Sequence, residues 1–144
     1  MEAQNYANHR RYVAGYHVAL FGLLVATLIG SLVNLSLSFG DHQRLYNASL
    51  IVVLTVCALM LFFFTRSFAL KAQDRAIRAE ENLRHFVLTG KLLDPRLTVR
   101  QIIGLRFAPD EEFVALARQA AEQNMSEDAI KRAVKNWRPD TYRV

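Results

Sequence analysis

Cysteine occurs once in the 144 residues, as Cys57, so no internal disulfide can form, and no Cys pair exists to hold a metal. Within an apolar run this cysteine reads as a small hydrophobe. Proline occurs three times and glycine six, and neither is found anywhere from Asp41 to Thr89. Nothing in that stretch breaks a helix. Charge is missing from two long runs, residues 12–40 and 45–65, which hold no Lys, Arg, Asp or Glu. About 20 apolar residues cross the hydrocarbon core of a bilayer, so each run is long enough to span it. Two helices this apolar, buried in a soluble fold, would need far more chain around them than is present. The first run is too long for the 7–15-residue apolar core of a signal peptide. Arg10-Arg11 lacks the flanking pattern of a twin-arginine export signal.

Half of the composition is apolar (52%), yet the mean hydropathy is +0.09, because the charge is segregated into the rest of the chain. The net charge of +5 suits anionic lipid headgroups more than it specifies nucleic acid. Only residues 40–44 separate the charge-free runs, which forces an antiparallel hairpin. Arg10 and Arg11 precede the first span and Arg66, Lys71, Arg75 and Arg78 follow the second, while the loop holds Arg44 beside Asp41. The positive-inside rule then puts both termini in the cytoplasm. The expected organisation is an all-α membrane protein. A transmembrane hairpin occupies 1–66, with spans of about 13–39 and 45–65. A cytoplasmic helical region occupies 67–144. Tyr6, Tyr12, Tyr16 and Tyr46 are expected as interfacial anchors.

Small residues recur in the first span at Gly15, Ala19, Gly22, Ala26, Gly30, Asn34 and Ser38, on one helical face. Small faces let helices approach closely in lipid. The stripe is expected to pack on the second span, against Ala48, Thr55, Ala58 and Thr65, with Asn34 as an interhelical hydrogen-bond partner. Docking a second protein is the alternative. Neither span contains Asp, Glu, Lys or Arg, which a proton path or charge-coupled transport site would normally require.

The second span runs without a break into charged sequence, predicting one helix to about residue 88. Ala69, Ala72, Ala76, Ala79, Leu83 and Phe86 alternate by three and four, the a/d seam of a short coiled coil. Lys71, Asp74, Arg75, Arg78 and Glu81 make the opposite, solvated face. Gly90 caps the helix and Asp94-Pro95 makes a turn. Three short amphipathic helices follow. Thr98-x-x-Gln101 is a capping box opening a helix over Val99–Arg106. Pro109 with Asp110, Glu111 and Glu112 starts the second, which Asn124 ends. Ser126-Glu127-Asp128 starts the third, running to Trp137. None is stable alone; their apolar faces are expected to meet each other and the alanine seam.

Sites of chemistry are scarce. There is no phosphate-binding Gly-rich loop, and His9, His17, His42 and His85 lack metal-ligand spacing. The acids 110–112 are explained by a helix N-terminus. The chain is therefore read as a non-enzyme with no catalytic residue, cofactor, metal or small-molecule substrate. Two helices joined by Asn124-Met125-Ser126, with Lys131, Arg132, Lys135 and Arg138 on the second, have helix-turn-helix spacing. Intervening acids and the apolar Ile130 and Trp137 make nucleic acid a lesser partner than lipid. The stretches QNYANHRRYVAGYH, FALKAQDRAIRAEENLRHFVLTGKLLD and QIIGLRFAPDEEFVALARQAAE…IKRAVKNWRPD resemble an uncharacterised family of small two-span bacterial membrane proteins. Asn8, His9, Arg11, Tyr16 and His17 carry the likeness at the front; Gln73, Asp74, Arg75, Arg78, Glu80, Glu81 and Arg84 carry it in the long helix. Leu105, Arg106, Phe107, Asp110, Glu111, Lys131, Asn136, Trp137 and Arg138 carry it near the end. The resemblance implies a bacterial inner-membrane protein and names no substrate. The leading expectation is a membrane assembly or accessory subunit, self-associating or part of a larger complex. A small oligomeric channel or transporter and a membrane-tethered regulator are the alternatives.

Overall fold

The computed structural model describes residues 4–9 and 11–140; Arg10, one of the arginines in the charge argument, lies outside them. Among the described residues the regular structure is entirely helical. A π-helical stretch, Gly15–Leu20, leads into α1, Phe21–Leu37, where a uniform α-helix is expected from sequence. On this wider turn Tyr16 stacks against Phe62 with ring centroids 4.3 Å apart, and its hydroxyl donates to the Phe62 carbonyl. Gly40, at φ +101°, turns the chain into α2, His42–Thr89. α2 is one helix of 48 residues with no break at Arg66, as the lack of Gly and Pro predicts. Three short helices follow: α3, Val99–Leu105; α4, Asp110–Glu122; and α5, Glu127–Ala133.

The chain divides into two compact units. One is Tyr12–Phe68. The other takes in the described residues before Tyr12 and those from Ala69 on. The N-terminal segment thus groups with the C-terminal helices rather than with the hairpin that follows it in sequence.

In the hairpin, Ser31, Ser38, Ala48 and Thr55 are buried. Leu24, Leu28 and Leu35 beside the first pair, and Leu45, Val52, Leu59 and Phe62 beside the second, are half-buried. Both sets run at alternating threes and fours, so α1 and α2 pack along a heptad seam with small residues at its closest points. The buried hydroxyls are satisfied within their own helices: Ser31 donates to Leu28 O, Ser38 to Asn34 O and Thr55 to Ile51 O. The expected partner face is therefore corrected. Gly15, Ala19, Gly22, Ala26, Gly30 and Asn34 are exposed, and a Cβ at Gly15, Gly22 or Gly30 would meet nothing. They lie on the other side of the helix, where Asn34 bonds nothing on α2.

In the second unit the capping signals form as read. Gly90 is left-handed at φ +72°. The Thr98 hydroxyl accepts the Gln101 N–H and the Gln101 side chain accepts the Thr98 N–H. Gln101 also donates to Met125 O at 2.8 Å, tying α3 to the α4–α5 link. The Ser126 hydroxyl accepts the Ala129 N–H. Asn124 takes φ +47°, a conformation its short side chain tolerates. The core is Leu93, Leu97, Ile102, Leu105, Ala108, Phe113, Leu116, Ala117, Ala120, Ile130 and Val134. Each large side chain fully buried here stabilises the unit by roughly 1.5–3 kcal/mol. Gly104 is where α3 meets α5: a Cβ there would lie 3.0 Å from Glu127 O and 3.2 Å from Ile130 Cγ2.

Two expectations fail in this unit. α5 ends at Ala133, not Trp137. The Glu112 carboxylate accepts the N–H groups of Lys135 and Asn136, and Arg138 N–H donates to Phe107 O, so the chain is drawn out of the helix. The alanine seam, moreover, is not what the short helices cover. The covered face of α2 carries Ile77 and Glu81, both buried, with Gln73, Asp74, Arg84 and His85 beside them. Ala72, Ala76, Ala79, Leu83 and Phe86 are exposed, Ala69 half so. Glu81, expected on a solvated face, is 5% exposed.

Candidate functional site

The charged residues of the α3–α5 unit form a connected set around Glu81 and Arg84. Arg84 Nη1 lies 3.0 Å from Glu81 Oε2 and Arg84 Nη2 lies 2.6 Å from Asp110 Oδ1. Arg84 also donates to Ala108 O, and its guanidinium sits 4.3 Å from the Phe113 ring centroid. Arg84 thereby holds α2 to the start of α4. The other Glu81 oxygen is 3.9 Å from Arg138 Nη1. Arg106, 8% exposed, pairs with Asp140 at 3.1 Å and lies over Phe107. A buried charge whose partner is removed is strongly destabilising, so these pairs are mutually required even where each adds little net stability.

Against this set lies the N-terminal segment. The Tyr6 hydroxyl donates to Asp128 Oδ1 at 2.5 Å, and Arg132 stacks over the Tyr6 ring. His9 contacts both Phe107 and Trp137, which stack with centroids 4.6 Å apart. Gln4 Oε1 accepts the Asp140 N–H. Tyr6, expected as an interfacial anchor, is instead tied to α5.

Two clefts flank the Glu80–Glu81 turn of α2. One, of about 560 Å³, is lined by Arg11, Gln73, Arg106, Arg138 and Asp140 with Ala76 and Ile77. The other, of about 650 Å³, is lined by Arg84, Asp110, Glu111, Asn136 and Trp137. The first cleft balances three arginines with three carboxylates, whereas the second has two arginines, Arg84 and Arg138, and four acids; Glu81, Asp110 and Asp140 are held in ion pairs. Among the described residues no group of three or more His, Cys, Asp or Glu side chains could hold a metal.

Three carboxylates titrate below their usual range because of fixed donors. Asp94 is pulled down to about 2, chiefly by the Arg96 side chain. Glu112 is lowered by the Lys135 and Asn136 amides. Asp128 is lowered first by the Tyr6 hydroxyl and then by Arg132. The donors favour each ionised form; Glu112 and Asp128 thereby clamp distant segments together, whereas Asp94 closes a local turn with Arg96.

The basic residues of the helix-turn-helix reading are largely neutralised in place. Lys131 pairs with Glu127 at 2.6 Å and Arg132 with Asp128 at 3.1 Å. With α5 only seven residues long, little of a recognition helix remains.

The structure does not bring the sequence-derived packing residues into one contact within the chain. Gly15 to Asn34 form an uncovered stripe in the hairpin, and Ala69 to Phe86 an edge of α2 that is uncovered from Ala72 onward. Ala48 and Thr55, expected to pack in the second span, are buried there, as is Ser38; the residues missed were Ser31 and the leucines beside it on the first span, and the N-terminal attachment. Ser31, one heptad before Ser38, was the available signal for the first. Nothing local signals the second, since Tyr6 and Asp128 are 122 residues apart.

The class is thus an all-helical protein, in its described residues, with two helices long and apolar enough to cross a membrane and a small ion-paired helical unit. The chain belongs to a family of unknown function, DUF6526, which matches residues 1–144. No curated protein and no solved structure matches it significantly.

Proposed function

We propose that the protein is a non-catalytic integral component of the bacterial inner membrane, an assembly or accessory subunit anchored by its hairpin. Both termini are cytoplasmic in this reading. The observation that carries it is how little of the apolar helices the chain covers: 6% of the apolar window of residues 15–37 and 11% of that in α2. A core helix of a soluble protein is covered by its own fold, whereas Leu37 is 80% and Leu54 71% exposed. A bilayer would cover both. The topology is supported by charge, since the loop's Arg44 is paired with Asp41 at 3.3 Å while Arg11, Arg66, Lys71, Arg75 and Arg78 flank the spans. The non-catalytic reading is supported by the ion pairs that engage Glu81, Asp110 and Asp140 with Arg84, Arg106 and Arg138 in the clefts.

Alkaline carbonate extraction tests the anchoring: the chain should stay in the membrane pellet, and release into the supernatant sinks the proposal. Gln43→Cys in a Cys57→Ser background tests the orientation, because an impermeant maleimide added to whole cells with a permeabilised outer membrane should label it. Purification from native membranes in mild detergent should give a particle larger than one chain; a monomer would refute the assembly role.

A further inference from the structure

The edge of α2 that the short helices leave bare is amphiphilic in a specific order. Leu83, Phe86 and Val87 are 63%, 50% and 75% exposed, a cluster of large apolar side chains that a water-facing helix does not need. Below them Ala72, Ala76 and Ala79 continue the edge at steps of three and four. With Ala69, Ala76 and Leu83 at a, and Ala72, Ala79 and Phe86 at d, Arg75 falls at g and Glu80 at e. Both are exposed, and neither has an ion pair among the described residues.

We infer that this edge is the contact between two copies of the chain, which pair as a short parallel coiled coil over residues 69–87. The inference rests on the membrane reading above. Charge complementarity selects the occupant. In a parallel pair, a g residue faces the e residue five positions on in its partner, so Arg75 of each copy meets Glu80 of the other. A two-fold axis demands such self-complementarity, in which residue i meets j and j meets i. In an antiparallel pair g faces g and e faces e, so arginine would face arginine and glutamate glutamate. Copies inserted in one bilayer with the same topology leave it in the same direction, so the parallel arrangement is the one available to them. The seam is short and poor in buried area; holding both copies in one membrane raises their effective concentration and offsets this. Alanine at a and d lets the axes approach closely, and Leu83, Phe86 and Val87 supply the apolar area.

The test uses the full chain in native membranes with Cys57→Ser. Under mild oxidation Ala72→Cys and Ala79→Cys, at d, should each give a disulfide-linked dimer, while Lys71→Cys and Arg78→Cys, at c, should not. In the Ala79→Cys background, Arg75→Glu or Glu80→Arg alone should lower the dimer yield by roughly fivefold or more, because two symmetric attractions become repulsions. The double exchange should restore it. No dimer at either d position, equal yield at c, or a double exchange no better than the singles overturns the inference. Cross-linking only to a different protein also overturns it while leaving the accessory-subunit reading intact. Release of the chain by carbonate sinks the membrane reading itself, whatever the cross-links show.

Discussion

Gly104 offers the sharpest test of how the α3–α5 unit is packed. Replacing a helical glycine with alanine ordinarily stabilises by about 1 kcal/mol through helix propensity. Here the new methyl would lie 3.0 Å from Glu127 O and 3.2–3.3 Å from Ile130 Cγ2 and Cβ. The neighbours cannot easily yield. Glu127 opens α5 beside its Ser126 cap and Ile130 is fully buried. Overpacking of this kind costs about 1–3 kcal/mol, so Gly104→Ala should lie between neutral and about 2 kcal/mol destabilising. Gly104→Val adds two more carbons in the same space and a β-branched penalty, and should lose about 3 kcal/mol or more. Trp137 is the sole tryptophan and stacks on Phe107 in this unit, so its fluorescence during urea unfolding of the detergent-solubilised chain reports the loss. A Gly104→Ala variant more stable than wild type by the full propensity gain, with Gly104→Val within 1 kcal/mol, would refute the close α3–α5 contact.

Overpacking also discriminates the faces of the hairpin: Ala48→Leu, at a position 1% exposed, should destabilise it by about 1–3 kcal/mol, and Ala26→Leu should not, as read by hydrogen exchange in detergent. Truncating Glu81 to Ala removes one of the two carboxylates on Arg84, which keeps Asp110, so it should cost about 1–3 kcal/mol, and Trp137-monitored unfolding should show more loss than for Glu111→Ala on the exposed start of α4. Acid should loosen the Glu112 and Asp128 clamps. Their carboxylates titrate lower in the folded chain than when unfolded, so their stabilisation is complete above the unfolded values near 4.5 and 3.8 and is lost as pH falls through the folded ones. Glu112→Gln and Asp128→Asn should each flatten the acid limb of a Trp137 stability profile, and an unchanged limb in both would count against the clamps. Tyr6→Phe should speed amide exchange in residues 4–9 without altering the helices, because it removes the hydroxyl shared by Asp128 and Arg132.

The elements whose signals are local were legible in the sequence. Thr98 with Gln101, Pro109 before three acids, Ser126, and the long stretch free of Gly and Pro each act within a few residues, so spacing sufficed to place the helices. The choice of faces was legible only in part, Ala48 and Thr55 being buried in the hairpin while the Gly and Ala stripe of the first span is exposed. Apolar side chains surround the spans on all sides, so periodicity there cannot say which edge meets α1, and small residues occur on two faces of the first span. Only Ser31 and Ser38, whose hydroxyls bond their own helix, lie on the face that is buried. In the second unit, alanine at steps of three and four says that a close approach is tolerated, not that this chain supplies the approaching helix. The early end of α5 depended on Glu112, more than twenty residues before the amides it binds.

Spacing along α2 gives the uncovered edge a physical meaning. The open frame of steps of three and four along α2 runs Ala69, Ala72, Ala76, Ala79, Leu83 and Phe86, exposed from Ala72 onward. A helix whose only task was to link two units would place polar side chains there, as it does at Lys71, Arg75 and Arg78. Keeping this edge apolar exposes Leu83 and Phe86 to water at about 25 cal/mol per Å² of uncovered surface. That unfavourable exposure is removed only when another helix lies on the frame. Substituting Leu83 and Phe86 with Gln should therefore leave Trp137-monitored stability of the monomer unchanged or slightly raised while abolishing the Ala79→Cys cross-link. A loss of monomer stability instead would mean that these side chains pack within their own chain.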